Sequence, residues 1–364
     1  MSQTFVSNIN IISIDLPLQR PVVSAVGRYD KWPFIITEIT LDSGIVGNSY
    51  ICPYLVDFTD PIERVIRELF KPFENQPLAP AAFYEAGMGR LSLLGRSGIA
   101  MYALAALDIA FWDASAKVAD RPLCEHLGGT LGDVKAYNSG GLWLLTPEQL
   151  VQEARDLRDE GDFSSLKLRL GRKTLDQDLR AIDAVRSQMN ADDDLLCDFN
   201  QVLSFTEARR RLRGLDDQGL YWFEEPIPYY EFRNYNELRQ HLCTPLILGE
   251  NFHGIDHATL SLELKSSDAI MPDLMRIGGV SGWLKTATLA EAHRKPLSSH
   301  LYHEVSAHLM RVTPTADYLE WMNWVDPLLV EPYRVKNGRL IIPERPGVGL
   351  EFNRDVIDRY RVKR

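Results

Sequence analysis

Three acidic residues stand at regular intervals behind short apolar runs in the middle of the chain. Asp198, Glu224 and Glu250 follow LLC, YWF and LILG, and each is 26 residues from the next. If strands bring these carboxylates together, their repulsion in a desolvated site requires a counter-charge. A divalent cation with oxygen ligands supplies it, and few protein ligands with open positions favour Mg²⁺. The spacing therefore predicts a magnesium site, although each acid taken alone is more typical of a helix cap or a surface charge.

Basic and amide side chains accompany these acids at positions that strand alternation places on one face. Lys167 and Arg169 are two residues apart in SSLKLRLG, and Asp198 and Asn200 are two apart in CDFNQ. Alternate strand residues share a face, so each pair is expected to point into a barrel, and Glu225 to point away as a structural partner. A buried cation needs an anion, which the carboxylates or an anionic substrate would supply. A purely structural ion pair is the alternative.

A histidine and two further acids close the next apolar runs. Asp273 stands in IMPDL, His300 in SSHLY and Glu320 in ADYLE. A carboxylate beside a histidine fixes its tautomer and raises its basicity, which suits a general base or acid. A core histidine that is only hydrogen-bonded is the alternative. We predict that His300 and Asp273 form an acid–base pair and that Glu320 binds or protonates a substrate oxygen.

A regular series of strands and helices must position these residues. From about residue 134, short apolar runs alternate with amphipathic segments, one of which begins with Thr146, Pro147 and Gln149 as cap signals. Strands joined through helices form parallel sheet, and seven or eight such units close into a β/α barrel whose strand ends meet at one mouth. A doubly wound open sheet is the alternative.

The remainder of the chain has a different sequence pattern. Residues 34–52 alternate as two strands joined by an Asp-Ser-Gly turn, and residues 97–118 carry apolar side chains at helical spacing. We therefore expect an α/β protein in three parts. These are an α+β unit at residues 1–133, a β/α barrel at residues 134–330, and a segment at residues 331–364 that returns to the first unit.

Composition narrows the possible partners and location. The 364 residues carry a net charge of -10 without a basic stripe, so nucleic acid is not expected as a partner. No apolar run reaches the roughly 18 residues that span a bilayer, and no basic leader precedes an apolar core. No membrane association is therefore expected, and a cytoplasmic location is the default. The four cysteines lack metal-ligand spacing and are expected to be reduced thiols.

The ordered motifs resemble the mandelate racemase subgroup of the enolase superfamily, the mandelate racemase/muconate lactonizing enzyme family, over nearly the whole chain. The resemblance implies an α+β capping domain over a modified (β/α)7β TIM-like barrel, with Mg²⁺ as cofactor. It further implies removal of the alpha proton of a 2-hydroxycarboxylate through an enediolate, and a homo-oligomer. The motifs are PVVSAVG, LDSGIVGNSY, ALDIAFWDASAKV, LKLRLG, CDFNQ, WFEEP, LGENF, MPDLMRIGGVSGW, SSHLYHEVSAHL, PTADYLEW and PGVG.

The same resemblance implies roles for individual residues. His300 with Asp273 would be the base or acid on one face of the alpha carbon, and Lys167 would lie beside the substrate carboxylate. The three acids at 198, 224 and 250 would bind Mg²⁺, which holds that carboxylate. Further substrate contacts would come from Glu320 at the oxygen that gains charge, Asn200 near the alpha-hydroxyl, and Ser139 at the carboxylate.

Two departures from the family pattern bear on the reaction. Relatives that racemise have a second lysine where this chain has Arg169, and a guanidinium with a pKa above about 12 rarely accepts a proton at neutral pH. The segment after AVG is small and apolar in mandelate racemase, whereas here it begins Arg28-Tyr29-Asp30, with groups that can bind several hydroxyls. We therefore predict a Mg²⁺-dependent lyase that dehydrates an acid sugar in a syn sense to a 2-keto-3-deoxy acid, with Arg28 and Tyr29 at the substrate. The alternative for these two side chains is that they face solvent. A 2-hydroxyacid racemase is the alternative, and a non-catalytic, metal-stabilised scaffold is a third possibility.

Overall fold

The first part of the chain is an antiparallel sheet covered by helices. In the computed structural model, which describes residues 4–24 and 27–363, the strands are β1 (Val6–Ser24), β2 (Gly27–Leu41) and β3 (Val46–Ile51). They pair in that order, and the predicted Asp-Ser-Gly turn joins the last two, with Gly44 at a φ of 84°. Ala25 and Val26 of the PVVSAVG motif lie outside the described residues. The helices are α1 (Thr59–Phe70), α2 (Pro80–Arg90), α3 (Ile99–Val118) and α4 (Leu123–His126), with 3-10 turns at Val56–Phe58 and Lys71–Phe73.

Helix α3 runs through the interior of this part. In the portion of the chain that the structure describes, it is the one helix that is long and apolar enough to cross a bilayer by length and composition alone. However, 72% of that stretch is buried inside the protein, as in the core helix of a globular fold. Its Asp108 is also buried and accepts hydrogen bonds from the backbone N–H of Ser281, at 2.9 Å, and its hydroxyl, at 2.6 Å.

The middle of the chain forms the expected TIM-like barrel of parallel strands. Strands β4 (Asp133–Asn138), β5 (Ser165–Arg169), β6 (Asp194–Asp198), β7 (Phe223–Glu224), β8 (Leu246–Leu248) and β9 (Ala269–Ile270) pair in sequence order. A final strand, β10 (Leu319–Trp321), pairs in parallel with β4. The run KPLSSHLY, expected as a strand, forms only isolated bridges: Leu297 joins Ile270 on one side and Ala316 on the other. It nevertheless occupies a strand position between β9 and β10, so the order of elements is that of a (β/α)7β barrel.

The connecting helices begin where local sequence signals place them. At Thr146 the hydroxyl accepts from the backbone N–H of Gln149, and the Gln149 side chain accepts from the backbone N–H of Thr146, which confirms the predicted cap. Thr174 and Gln177 repeat this pair. Such reciprocal bonds satisfy donors that a first helical turn leaves free. The helices are α5 (Pro147–Asp159), α6 (Leu175–Arg186), α7 (Phe205–Arg213), α8 (Phe232–Arg239), α9 (Gly254–Glu263), α10 (Leu274–Ile277), α11 (Gly279–Ala292) and α12 (His303–Met310).

The last part of the chain contacts both the barrel and the capping sheet. After a 3-10 turn at Asp326–Leu328 come β11 (Arg334–Lys336), β12 (Arg339–Ile341) and α13 (Arg354–Tyr360). Strand β12 pairs antiparallel with β4, whereas the backbone N–H of Val362 donates to Ser13 O of β1 at 2.9 Å. The buried Asp113 of α3 accepts from the backbone N–H groups of Asn48, at 2.7 Å, and Val348, at 2.6 Å. The division of the chain at 133/134 and 330/331 stays a prediction.

Candidate active site

The three predicted metal ligands converge at the ends of neighbouring strands. Asp198 ends β6, Glu224 ends β7, and Glu250 follows β8. One carboxylate oxygen from each lies within 4.8 Å of the others. Burial raises the pKa of Asp198 against the opposing charge of Lys167, and burial together with the charge of Asp198 raises the pKa of Glu224. Three oxygen donors at this spacing, two of them costly to ionise when buried, fit a hard divalent cation such as Mg²⁺.

Lys167 projects from β5 into this acidic cluster, as strand alternation predicts. Its Nζ lies 2.8 Å from Glu320 Oε1, 2.9 Å from Glu224 Oε1 and 3.4 Å from Asp198 Oδ2. Burial lowers the pKa of Lys167, but the charges of these three carboxylates, Glu224 foremost, outweigh that effect and raise it. The side chain is therefore a buried ammonium surrounded by carboxylates.

Arg169 is held by the loop that follows β4. Its Nη1 donates to Ser139 O at 2.8 Å and to Gly141 O at 2.9 Å, and its Nη2 donates to Ser139 Oγ at 2.8 Å. The guanidinium also lies over the ring of Trp143, 4.0 Å from its centroid. A planar guanidinium bound in this way is a fixed positive charge and a poor proton acceptor.

Glu320 links the residues around it through both of its oxygens. Oε1 accepts from Ser139 Oγ at 2.7 Å and faces Lys167, and Oε2 accepts from the backbone N–H of Leu301 at 2.8 Å. Burial raises the pKa of Glu320, but Lys167 and then His300 outweigh it and lower the pKa. The donors around Glu320 thus favour the carboxylate, whereas a hydrogen bond from Glu320 to a substrate oxygen would need the protonated acid.

His300 and Asp273 form the expected pair. His300 Nδ1 lies 2.8 Å from Asp273 Oδ2, and Asp273 Oδ1 accepts from the backbone N–H of Arg276 at 2.9 Å at the start of α10. The other ring nitrogen, Nε2, lies 3.2 Å from Glu250 Oε2. Burial lowers the pKa of His300, but the nearby carboxylates, Glu250 first, raise it overall. Glu250 lines the cavity described below and Asp273 does not, so Nε2 is the nitrogen on the cavity side that can exchange a proton with a bound molecule.

A cavity of about 370 Å³ opens beside these groups, with walls from the capping sheet and the barrel. Its polar floor contains the predicted residues Lys167, Arg169, Asp198, Glu250, His300 and Glu320. Facing them are mainly aromatic and aliphatic side chains, with a few polar groups between. The other lining residues are Val22, Ser24, Tyr29, Trp32, Tyr54, Leu55, Trp143, Asn200, Gln201, Asn251, Arg276, Leu301, Met322 and Trp324.

Of the two predicted substrate-binding residues on β2, one lines the cavity and the other does not. Tyr29 lines it, but Arg28 points away and pairs with Asp30 at 2.8 Å, with its side chain 60% exposed. Neighbouring strand residues face opposite sides, so both could not enter the cavity, and the placement of Arg28 at the substrate is corrected. Asn200 lines the cavity and donates to Asp198 through its backbone N–H, at 2.7 Å, and its side-chain amide, at 2.9 Å.

Glu225 has the structural partners expected of it, and they include a residue that sequence reasoning missed. Its carboxylate accepts from Gly249 N at 3.2 Å and from Asn251 Nδ2 at 2.6 Å. Asn251 also donates to Glu250 Oε1 at 3.0 Å, so it orients a predicted metal ligand from the side. In the sequence, Asn251 directly follows Glu250 in LGENF, and this adjacency could have identified it as a site residue.

The sequence analysis also missed most of the aromatic side chains that line the cavity. Trp143 and Trp324 lie in the segments after β4 and β10, so their nearness to strand ends was a usable signal. Tyr54 follows β3 in the capping part, and nothing in the local sequence marks it. Arg276 stands in the MPDLMRIGG motif and donates from Nη1 to Glu250 O at 2.7 Å.

Comparisons with known proteins agree along the chain. The family model "Mandelate racemase / muconate lactonizing enzyme, N-terminal domain" matches residues 8–128, and "Enolase C-terminal domain-like" matches residues 149–356. A solved enolase from alpha proteobacterium bal199 with bound Mg is 42% identical, with a TM-score of 0.97 over 99% of this chain and 100% of that one. An enolase from Bradyrhizobium complexed with magnesium and mandelic acid is 33% identical, with a TM-score of 0.95 over 100% of both chains. The L-talarate/galactarate dehydratase of Salmonella typhimurium is 35% identical over 261 residues, which are 71% of this chain and 65% of that protein.

Proposed function

The chain belongs to the mandelate racemase/muconate lactonizing enzyme family of the enolase superfamily, and we propose that it is a Mg²⁺-dependent lyase that dehydrates an acid sugar to a 2-keto-3-deoxy acid. The observation that carries this proposal is that the site contains one acid–base pair, His300 with Asp273. The two nearby basic side chains are each fixed in the charged form by their contacts. Arg169 makes three hydrogen bonds to Ser139 and Gly141, and Lys167 contacts three carboxylates. Racemisation needs a proton acceptor on each face of the alpha carbon, whereas syn dehydration needs a single one.

Binding would use the polar floor of the cavity. A Mg²⁺ ion held by Asp198, Glu224 and Glu250 would neutralise the charge that develops on the substrate carboxylate as the alpha proton leaves. Lys167 adds a fixed ammonium at the same place, and Asn200 keeps Asp198 oriented through two hydrogen bonds. Because these groups are buried and preorganised, little reorganisation is needed when the charge appears.

Proton transfer would be carried by His300 alone. Its Nε2 accepts the alpha proton, while Asp273 holds Nδ1 and stabilises the imidazolium that forms. The imidazolium then returns a proton to the beta-hydroxyl as the C–O bond breaks, so water leaves and the resulting enol becomes the 2-keto acid. Since one ring performs both transfers, the proton and the hydroxyl depart from the same face.

The direct test is a screen of mono- and diacid sugars with Mg²⁺ in D₂O. We would follow 2-keto acid by semicarbazide absorbance and alpha-proton exchange by NMR. His300→Asn is expected to abolish keto acid formation, whereas His293→Asn, at an exposed position after α11, is the matched control and is expected to retain it. Exchange of the alpha proton on both enantiomers of a simple hydroxy acid, with no keto acid from any sugar acid, would contradict the dehydratase proposal.

A second candidate function, 2-hydroxyacid racemisation, is favoured by the wall of the cavity. Trp32, Tyr54, Met322 and Trp324 present rings and an apolar side chain that suit an aryl group as well as a sugar. The Bradyrhizobium enolase was crystallised with mandelic acid, an aryl hydroxy acid. Loss of optical rotation of mandelate without a keto product would select this function, and Arg169 or Lys167 would then be the second base.

Assembly and location are proposals as well. We propose a homo-oligomer in the cytoplasm, with a small-molecule acid as the partner. Light scattering coupled to size-exclusion chromatography would measure the subunit number, and a single-chain mass would contradict the oligomer.

A further inference from the structure

A second group of ligand-type side chains lies where the barrel meets the capping sheet. His303 and Glu304 begin α12, and Asp326 opens the 3-10 turn after β10. One ligand atom from each of the three lies within 4.8 Å of the others. His303 Nε2 is 3.0 Å from Glu304 Oε1 and 3.9 Å from Asp326 Oδ1. This spacing is close to that of ligand atoms around one metal ion.

These three atoms are buried and have no hydrogen-bond partner outside the group among the described residues. His303 is 2% exposed and Glu304 is fully buried, and apart from the 3.0 Å approach of His303 Nε2 to Glu304 Oε1, neither these two atoms nor Asp326 Oδ1 has a partner there. Buried polar atoms are nearly always satisfied, so three adjacent atoms without an outside partner indicate a missing one.

If all three groups are ionised, one of the two carboxylates is left without a counter-charge. Across residues 4–24 and 27–363, no lysine or arginine forms an ion pair with Glu304 or Asp326. A protonated His303 would compensate only one of the two carboxylates, and an uncompensated buried charge is strongly unfavourable. A neutral imidazole, two carboxylates and a divalent cation together carry no net charge.

We propose that His303, Glu304 and Asp326 bind a divalent transition metal ion such as Zn²⁺, at a site separate from the acidic cluster of the cavity. An imidazole nitrogen with two carboxylate oxygens suits Zn²⁺ better than Mg²⁺, which prefers oxygen ligands alone. Tyr50 of β3 donates from its hydroxyl to Glu304 Oε2 at 2.6 Å and thereby orients the ligand. The metal would therefore fasten the barrel to the capping sheet through Glu304.

The test is a calorimetric titration of the full chain with Zn²⁺ in saturating Mg²⁺, which keeps the acidic cluster occupied. We expect one Zn²⁺ per chain in the wild type, lost in His303→Gln and in Asp326→Asn. Asp326 is the most accessible of the three, with 22% of its side chain exposed, so Asp326→Asn is the variant least able to disturb folding. His293→Gln controls for exposed histidine, and Asp198→Asn controls for Zn²⁺ in the acidic cluster; both should keep the Zn²⁺.

A thermal readout accompanies the titration. Zn²⁺ should raise the Tm of the wild type and of His293→Gln, and leave the Tm of His303→Gln and Asp326→Asn unchanged. Equal Zn²⁺ binding by wild type and both ligand variants would overturn the proposal, as would no binding by the wild type. Loss of Zn²⁺ from Asp198→Asn would also overturn it, because the ion would then lie in the acidic cluster.

Discussion

Replacing Asp273 by asparagine tests the proposed acid–base pair, because Asp273 uses both of its oxygens. Oδ1 accepts from the backbone N–H of Arg276 at 2.9 Å, and Oδ2 lies 2.8 Å from His300 Nδ1. An amide has one acceptor oxygen and cannot serve both sites. If that oxygen stays at the start of α10, the amide nitrogen faces Nδ1 and forces the ring proton onto Nε2. The nitrogen that must accept the alpha proton would then already carry one.

The expected loss follows from the charge that is removed. At an effective dielectric constant of about 20, two unit charges about 4 Å apart attract each other by about 4 kcal/mol. The imidazolium of His300 would lose stabilisation of that order in Asp273→Asn, so kcat for keto acid formation should fall by about 10³-fold. KM should change little, because Asp273 does not line the cavity in the described part of the chain. Initial-rate assays on the best substrate of the screen would measure both constants.

Asp256→Asn, on the exposed first turn of α9, is the matched control and should keep wild-type kcat. Circular dichroism would establish that both variants are folded. A folded Asp273→Asn enzyme with kcat within about tenfold of the wild type would refute the reasoning that His300 depends on Asp273.

Three further predictions follow from single side chains. Arg169→Lys replaces the guanidinium, a poor proton acceptor, by an amine that can act as the second base. Alpha-proton exchange should then appear on both enantiomers of a simple 2-hydroxy acid in D₂O. An NMR spectrum without exchange would contradict the view that the guanidinium is what prevents racemisation. Burial raises the pKa of Asp108 from 3.8 to about 7 against the hydrogen bonds of Ser281, so the folded protein keeps a proton that the unfolded chain loses between those pH values. The free energy of unfolding should therefore fall by up to about 4 kcal/mol as pH rises from about 4 to about 7, and Asp108→Asn should flatten this slope in urea titrations; an unchanged slope would count against it. Tyr29→Ala should raise KM and Arg28→Ala should not, because only Tyr29 lines the cavity; equal KM changes would disprove this placement.

Side chains on regular strands could be predicted from the sequence. Lys167, Asp198 and Glu224 lie on β5, β6 and β7, where alternation sets the face and a parallel barrel brings the strand ends together. The pairing of Asp273 with His300 could also be anticipated, although both residues stand outside the regular strands. A single parallel bridge between these two residues suffices to place their side chains side by side.

Side chains whose position depends on packing between distant segments could not be predicted. The pairing of β1 with β2 shifts register between Pro17 and Val22, and an alternating pattern cannot show which face such an irregular strand end presents. Arg28 and Tyr29 lie beyond that shift. Alternation puts the two side chains on opposite faces, but only their three-dimensional positions show that Tyr29 is the one that lines the cavity. The approach of His303 to Asp326 likewise joins two elements that no spacing rule connects.

The ties between the N-terminal sheet and the last part of the chain bear on how the protein is made. Asn48 Nδ2 donates to Leu350 O across 302 positions, and Val348 N donates to Asp113 across 235. A ribosome that adds about 5–20 residues per second needs roughly 15 to 60 s to separate the first pair. Throughout that interval the nascent sheet lacks those partners, so its exposed groups are open to chaperones and to wrong contacts. Premature termination shortly before Leu350 should therefore be more harmful than the small number of missing residues suggests.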